Sequence, residues 1–340
     1  MRRVAFAVVP SPAHHDPTHP EHPRRLEGLA EAAATTFGDS LIPVAGSPAS
    51  EEALLAVHDS AHLDFLRRAC LQAPAIIDYA PTYVSPGSFD CALDAAGATL
   101  EVLHAVLAGD VRRGFAAVRP PGHHATSRQA MGFCLLNNIA VVARAAQRTG
   151  IESVMIVDFD VHHGNGTQAI FEADPTVLYL STHQEGIYPG TGRLQDRGLG
   201  AGEGFTVNLP LPAHAGDAAF ARIADEIFPG LAARFRPDLV LVSAGYDAHW
   251  IDPLANLKLT TAGFHRLSAS LVALAEIYCG GRIVFVLEGG YDPAAVKEGV
   301  FASIAAMLQS DLPLDVLGEP QTPSVDITPI LREARSIHGV

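Results

Sequence analysis

Cysteine is scarce in this 340-residue chain, and its spacing argues against two common kinds of structural site. No two cysteines form a C-x-x-C motif, and the four are scattered along the sequence at Cys70, Cys91, Cys134 and Cys279. A disulfide framework and a cysteine-based structural zinc site are therefore not expected. This cysteine usage best fits a reducing compartment.

Positive charge is scarce as well. Lysine and arginine together number 23 against 37 acidic residues, which gives a formal net charge of -14 at pH 7. An acidic surface repels phosphate backbones, so direct nucleic-acid binding is not expected. The same surface would tolerate cationic substrates, although it could equally serve solubility alone.

Long apolar segments are also missing from the sequence. The run 4–9 behind two arginines is too short for a signal peptide, and no uninterrupted apolar stretch is long enough to span a bilayer. We therefore expect a cytoplasmic protein that has no membrane partner.

Short runs rich in valine and isoleucine alternate with longer segments rich in alanine and leucine. The short runs predict buried strands at 4–9, 115–118, 154–157, 177–180, 239–242 and 283–287. The longer segments predict helices at 91–107, 137–147, 218–235, 261–277 and 327–336. This alternation predicts an α/β fold with a central, mainly parallel sheet and helices on both faces. We expect a single domain over residues 1–340, in which about 310–340 forms a C-terminal wrap.

Polar, glycine-rich loops follow five of the predicted strands, at 119–124, 158–166, 181–183, 243–247 and 288–291. In an open parallel sheet, ligand sites form at the edge where the strands end. Chance could place polar residues after one or two strands. Five loops carrying histidine, aspartate or tyrosine indicate a functional site at this edge.

One of these loops has the spacing of a metal site. Asp158, Asp160 and His162 are two residues apart, so on an extended strand end their side chains face one side. Carboxylate and imidazole ligands without thiolate suit catalytic zinc, and they also suit iron(II) or cobalt. Asp247, after another strand, is the best candidate for a ligand from a second loop. One of Asp158, Asp160 and His162 would then support the ligands without binding the metal itself. Taken singly, each of these residues could be a hydrogen-bonded loop residue.

Two further loops carry candidate catalytic groups. His123 and His124 follow two prolines and a glycine, and adjacent imidazoles on such a restricted turn suit proton transfer. Asp158 and Asn165 could orient them, and a second metal site is the alternative. Tyr291 follows two glycines, and its hydroxyl could donate to a carbonyl oxygen as negative charge builds there. A structural hydrogen bond is the alternative for this tyrosine.

Together these motifs resemble those of the histone deacetylase superfamily of zinc deacetylases, especially its class II-type and bacterial members. The resemblance runs from about residue 17 to about residue 308, and its matching segments are 119–125, 131–138, 158–167, 188–192, 243–247 and 288–291. It implies an arginase-like single domain around a parallel sheet, in agreement with the strand pattern. The implied reaction is hydrolysis of an acetylated (acyl) lysine or related amine to acetate and free amine.

The resemblance also implies a role for individual residues. One zinc ion would be bound by Asp160, His162 and Asp247. The implied catalytic residues are His123, His124, Tyr291, Asp158 and Asn165, the last standing where class I relatives have aspartate. A structural potassium ion is implied at Asp158, Asp160, His162 and Ser181. The implied substrate-binding residues are Gly132, Phe133, Tyr188 and Leu254.

Two departures from the family pattern concern the substrate. Segment 80–83 (Ala-Pro-Thr-Tyr) offers no acceptor where many relatives grip the peptide backbone, and apolar Leu254 stands where a polyamine-selective relative has an acidic gatekeeper. The first alternative function is an acetylpolyamine amidohydrolase acting on small acetylated amines. A two-metal, arginase-like hydrolase and a catalytically dead acyl-lysine binder are the others. The sequence is compatible with a homo-oligomer.

Overall fold

The computed structural model describes residues 2–312 and 315–340. Its strands are β1 (Val4–Val9), β2 (Leu41–Pro43), β3 (Ala75–Ile76), β4 (Tyr83–Val84), β5 (Arg113–Val118), β6 (Val154–Asp158), β7 (Val177–Gln184), β8 (Thr206–Leu211), β9 (Leu239–Ala244) and β10 (Ile283–Leu287). Its α-helices are α1 (Leu29–Phe37), α2 (Glu51–Leu55), α3 (Ser60–Leu71), α4 (Ser88–Ala108), α5 (Asn138–Arg148), α6 (Asn165–Phe171), α7 (Asp217–Glu226), α8 (Phe228–Phe235), α9 (Thr261–Tyr278), α10 (Pro293–Leu308) and α11 (Thr328–His338).

Eight strands form one sheet in the order β2-β1-β5-β10-β9-β6-β7-β8. All neighbours in this sheet are parallel, whereas β3 and β4 form a separate antiparallel pair. The four central strands are buried along their whole length, as expected when both faces of a parallel sheet are covered. The predicted parallel sheet is confirmed.

Helices cover both faces of the sheet, and alternate residues of β6 illustrate this arrangement. Met155 and Val157 belong to the core that contains buried residues of α1 and α7 to α11. Val154 and Ile156 belong to the core on the other face, with buried residues of α2 to α6. Successive side chains of a strand point to opposite faces, so the apolar runs of this sheet supply two cores at once.

The structure corrects the secondary structure predicted from the sequence in several places. The edge strands β2 and β8 were not predicted, because β2 has only three residues and β8 is interrupted by polar residues and a proline. The predicted helix 218–235 is two helices that meet at Ile227, and Pro229 lies at the start of α8, where its missing N–H is tolerated. Residues 181–184 are part of β7 rather than a loop.

Helix α4 is long and apolar enough to cross a membrane when only length and composition are considered. Asp90, Asp94 and Glu101 interrupt its apolar residues, which is why the sequence contains no uninterrupted span there. In the structure 56% of its most apolar window is buried, and the helix packs against β1, β5 and α5. This is the packing of a core helix.

The C-terminal segment returns to the sheet through α11. This helix packs against the edge strand β8, and its Leu331 and Ala334 are buried in the same core as α7 to α10. The helix confirms the one expected near 327–336. Within the predicted wrap, residues 313 and 314 lie outside the described residues.

Candidate functional site

The candidate site lies where the four central strands β5, β10, β9 and β6 end side by side. The loop after β5 carries His123 and His124, and the loop after β10 carries Tyr291. Asp247 follows β9, and the segment that contains Asp160 and His162 follows β6. Parallel strands end at the same edge, so residues far apart in sequence converge there.

Asp160, His162 and Asp247 form a group suited to a metal ion. Their ligand atoms all lie within 4.8 Å of one another. The Nδ1 atom of His162 is 3.2 Å from Oδ1 of Asp160 and 3.2 Å from Oδ2 of Asp247. One imidazole therefore faces two buried carboxylates. A divalent cation at this point would balance their charge, and carboxylate and imidazole donors without thiolate suit a catalytic transition-metal site.

Backbone amides orient the carboxylates of Asp160 and Asp247 by hydrogen bonds. The amides of Val161 and Gly289 donate to Asp247 Oδ1 at 2.9 Å and to Asp160 Oδ2 at 2.7 Å, respectively. Gly289 must be glycine, because a Cβ atom there would lie 2.1 Å from Asp247 Oδ2. Gly245 is similarly restricted, since its Cβ would lie 2.0 Å from Asp160 Oδ2. The loops after β9 and β10 thus enclose the two carboxylates closely.

The electrostatics of the three residues also fit a cation. Burial and the nearby Asp160 carboxylate raise the pKa of Asp247 above its usual range. Burial alone would lower the pKa of His162, but the two carboxylates outweigh it and raise that pKa to about 10. A proton on His162 therefore supplies positive charge when no ion is bound. A divalent metal would replace that proton, because the ligating imidazole must be neutral.

The tandem histidines are held by the two expected partners. His123 Nδ1 lies 3.0 Å from Asp158 Oδ2, and His124 Nδ1 lies 2.8 Å from Asn165 Oδ1. Both partners present an acceptor oxygen, so each histidine donates from Nδ1 and its Nε2 faces the site. Tyr179 also donates to Asp158 Oδ2, at 2.9 Å.

The two histidines differ in charge. Burial would lower the pKa of His123, but Asp158 and Asp160 outweigh it and raise the pKa to about 10. Burial, followed by the positive charges of His123 and His162, holds the pKa of His124 well below its usual range. His124 is therefore the neutral imidazole of the pair, as its uncharged partner Asn165 implies. A metal ion at Asp160 would offset part of the charge that holds the proton on His123.

The alternative of a second metal site at the tandem histidines has one geometric argument. Ligand atoms of His123, Cys134 and Glu288 also lie within 4.8 Å of one another. However, both oxygens of Glu288 already accept hydrogen bonds, and Nδ1 of His123 donates to Asp158. Burial also raises the pKa of the Cys134 thiol well above its usual range, which disfavours the thiolate. This group is better described as a hydrogen-bonded support.

Tyr291 is placed by the residues around its backbone and ring. Its amide donates to Asp252 Oδ2 at 2.7 Å, and its ring packs edge-on against Phe133 at a centroid distance of 5.7 Å. The Arg25 guanidinium lies 5.1 Å from the ring centroid. Burial and the charge of Asp247 raise the pKa of the Tyr291 hydroxyl well above its usual range. The hydroxyl is thus a neutral donor.

A cavity of about 240 Å³ leads to this group of residues. Its lining includes all four predicted substrate-binding residues, Gly132, Phe133, Tyr188 and Leu254, together with Ala80, Pro81, His124, His162 and Tyr291. Leu254 is 39% exposed. Among the residues that the structure describes, no carboxylate lines the cavity, so its walls suit an uncharged chain.

Gly132 and Phe133 have an unusual backbone. Both have positive φ, at 57° and 69°, a region that a bulky residue such as Phe133 rarely adopts. The Phe133 amide donates to Thr82 Oγ1 at 2.9 Å, which helps to hold the turn. A Cβ atom on Gly132 would lie 2.4 Å from the His124 ring, so the cavity wall and the histidine pack directly together.

Two of the four predicted potassium residues, Asp160 and His162, belong to the candidate metal group itself. Asp158 and Ser181 are register partners on β6 and β7, and Ser181 Oγ lies 2.9 Å from Nδ1 of His183. This places two of the four residues side by side. Potassium binding stays a prediction.

Sequence reasoning assigned no role to four residues that the structure places beside the site: Arg25, Asp78, Asp252 and Glu288. Asp78 lies beside the rim segment 80–83, and its Oδ2 accepts from this chain's own amides of Ala80 at 3.3 Å and Gly132 at 3.2 Å. Glu288 was visible as part of a motif. The other three act on backbone groups of distant segments, which no local pattern signals.

Comparison with known proteins agrees with this site. Residues 19–307 match the family model of the histone deacetylase domain. The chain belongs to the histone deacetylase family. It is 40% identical to histone deacetylase 14, chloroplastic, of Arabidopsis thaliana, over 99% of this chain and 85% of the relative. It is also 40% identical to the histone deacetylase-like amidohydrolase of Pseudomonas aeruginosa, over 85% of this chain and 76% of the relative.

A solved structure of another family member has the same fold as this protein. The crystal structure of the HDA15 HD domain superposes with a TM-score of 0.88 at 35% identity, covering 99% of this chain and 94% of that one. The predicted arginase/deacetylase-like fold is confirmed. Membership of this family supports deacetylase, and hence hydrolase, activity.

Proposed function

We propose that this protein is a zinc-dependent deacetylase that hydrolyses the amide of an acetylated or acylated lysine to acetate (or the corresponding acid) and free amine. One observation carries the proposal. A neutral imidazole (His124), a neutral phenol (Tyr291) and a candidate metal ligand (His162) line one apolar cavity. Amide hydrolysis needs a base, a donor for the oxyanion and an activated water, and these residues can meet those needs together.

Asp160, His162 and Asp247 would hold the zinc ion. When bound, zinc would lower the pKa of a water molecule from ~15.7 toward ~7 and polarise the substrate carbonyl. The same ligands would accept iron(II) or cobalt. Because Glu288 is already hydrogen-bonded, we propose one catalytic metal per chain rather than an arginase-like pair.

The remaining steps belong to this chain's own side chains. Nε2 of neutral His124 takes a proton as water attacks the amide carbon, with His123 beside it at a ring-centroid distance of 4.0 Å. The Tyr291 hydroxyl donates to the oxygen that gains negative charge. His124 then returns its proton to the amine nitrogen, which leaves as free amine. Asp158 and Asn165 orient the two imidazoles throughout.

The cavity lining supports acyl-lysine over a polyamine. The uncharged methylene stem of a lysine can lie between Phe133 and Tyr188, with its acylated end at the histidines. A polyamine would bring a second ammonium group close to Leu254, where the cavity lining offers no carboxylate. An ammonium group beside an apolar side chain gains no carboxylate partner there, so small acetylated amines are expected to be poorer substrates.

The test is a substrate panel with zinc-loaded protein. Acetyl-lysine peptides, acyl-lysine peptides of longer chain, acetylputrescine, acetylspermidine and simple esters are compared by kcat/KM. The proposal expects acyl-lysine peptides to be the best substrates. A preference for the acetylated polyamines would replace it with the small-amine alternative. Absence of turnover on every amide, with metal bound, would favour a catalytically dead acyl-lysine binder.

A further inference from the structure

Glu288 is a fully buried carboxylate that the mechanism above does not use. It directly follows the last residue of β10 and precedes the two glycines before Tyr291. It is absent from the lining of the substrate cavity. Its side chain therefore does not act by contact with the substrate.

The Glu288 carboxylate receives hydrogen bonds from two other strand ends. Oε2 accepts from the backbone amides of Gly122 at 2.6 Å and His123 at 3.0 Å. Oε1 accepts from the hydroxyl of Ser243, on β9, at 3.0 Å. The side chain thus ties the turn that carries the tandem histidines to the strands that precede Tyr291 and Asp247.

The backbone of the same segment is also fixed. The Glu288 amide donates to the Ala244 carbonyl at 3.0 Å, and the Glu288 carbonyl accepts from Arg25. The next residue, Gly289, donates its amide to Asp160. Because both ends of Glu288 are held, its carboxylate is a fixed reference point for the His123 backbone.

We propose that Glu288 is a positioning residue that sets the distance between the histidine turn and the loop carrying Tyr291. This inference rests on the proposed function, in which both loops act on one amide. The amides of Gly122 and His123 lie in a buried turn, so losing this acceptor leaves them without a replacement. A displacement of about 1 Å in a catalytic group can lower turnover about 100-fold.

Two conservative substitutions separate position from charge. Glu288→Gln keeps the reach and one acceptor oxygen but removes the charge. Glu288→Asp keeps the charge but withdraws the carboxylate by one methylene group. If position matters, the Gln variant keeps kcat within about tenfold, because a neutral acceptor still serves the amides. The Asp variant loses about 100-fold in kcat, with KM changed less than about threefold and zinc content intact.

A matched control is Glu298→Gln, which replaces another buried carboxylate ten residues further along, on α10. Its kcat is expected to equal that of the wild type. A reversed order, in which Asp is active and Gln is not, would overturn the proposal in favour of an electrostatic role. Wild-type kcat in both variants, equal losses in both, or losses that follow zinc content or KM would also overturn it.

A second measurement does not depend on turnover. Hydrogen–deuterium exchange at the amides of Gly122 and His123 is expected to be at least about tenfold faster in Glu288→Asp than in the wild type or Glu288→Gln. Unchanged exchange in the Asp variant would overturn the proposal. If the wild type does not hydrolyse acyl-lysine, the proposed function fails, and the exchange experiment alone decides whether Glu288 positions the turn.

Discussion

Gly289→Ala is the substitution whose effect can be worked out most directly from the structure. An added Cβ atom would lie 2.1 Å from Asp247 Oδ2 and 2.6 Å from Asp160 Oδ2. A real Cβ essentially never approaches another atom within 3.0 Å, so residue 289 and the Asp247 carboxylate must move apart by at least 3.0 − 2.1 = 0.9 Å. Zinc–ligand distances hold within about 0.2 Å, so two of the three proposed ligands cannot keep their geometry.

We expect Gly289→Ala to weaken zinc binding by about 100-fold, since even loss of an outer partner of a metal ligand costs about 10- to 100-fold in affinity. The assay is competition for zinc against a chelator of known affinity. The control is Gly109→Ala, an exposed glycine at the end of α4 with nothing within 4 Å of its added Cβ. This control should lower stability slightly and leave zinc affinity unchanged. Zinc affinity within about threefold of the wild type in Gly289→Ala would refute the assignment of Asp160 and Asp247 as ligands.

Three further predictions follow from other contacts. Tyr291→Phe should keep its zinc and lose about 100- to 1,000-fold in kcat, because one oxyanion donor is removed; near-normal turnover would contradict that role. Glu21 is fully buried between Arg25 and Arg119, so Glu21→Gln should lower the free energy of unfolding by about 3 to 5 kcal/mol in urea denaturation, whereas the exposed Glu51→Gln should change it by less than about 1 kcal/mol. Equal effects would contradict a buried ion pair. Burial lowers the pKa of His58 and of His183 to about 3. Below pH 6.5 these two histidines therefore bind protons in the unfolded chain but not in the folded chain. Each of these histidines should therefore lower stability by about 1.3 kcal/mol between pH 7 and pH 5.5, so His58→Gln or His183→Gln should reduce the pH dependence of stability by that amount; an unchanged pH dependence in urea denaturation would contradict this.

The sheet could be predicted from the sequence wherever a buried strand is continuously apolar. For β1 and β10 the apolar runs coincide with the observed strands, because every residue packs and no polar residue interrupts the run. The edge strands β2 and β8 escaped prediction, since an edge strand need not be continuously apolar. The break at Ile227 was also missed, because the apolar pattern continues through it and only Pro229 marks the new helix.

The part of the candidate site that could be predicted from the sequence consists of residues that directly follow predicted strands. Asp160, His162 and Asp247 follow recognisable strands, and parallel strands bring such residues together. Asp78 and Glu288 were harder, because their partners are backbone amides from other parts of the chain. Such contacts depend on three-dimensional packing and leave no spacing pattern in the sequence.

The central claim is that one zinc ion per chain makes this protein an acyl-lysine hydrolase. The most direct test is acetate release from an acetyl-lysine peptide while metal-free protein is titrated with zinc. We predict no release without metal, a rise with added zinc and saturation at one ion per chain. Release that persists after complete chelation, or that needs two ions per chain, would contradict the account.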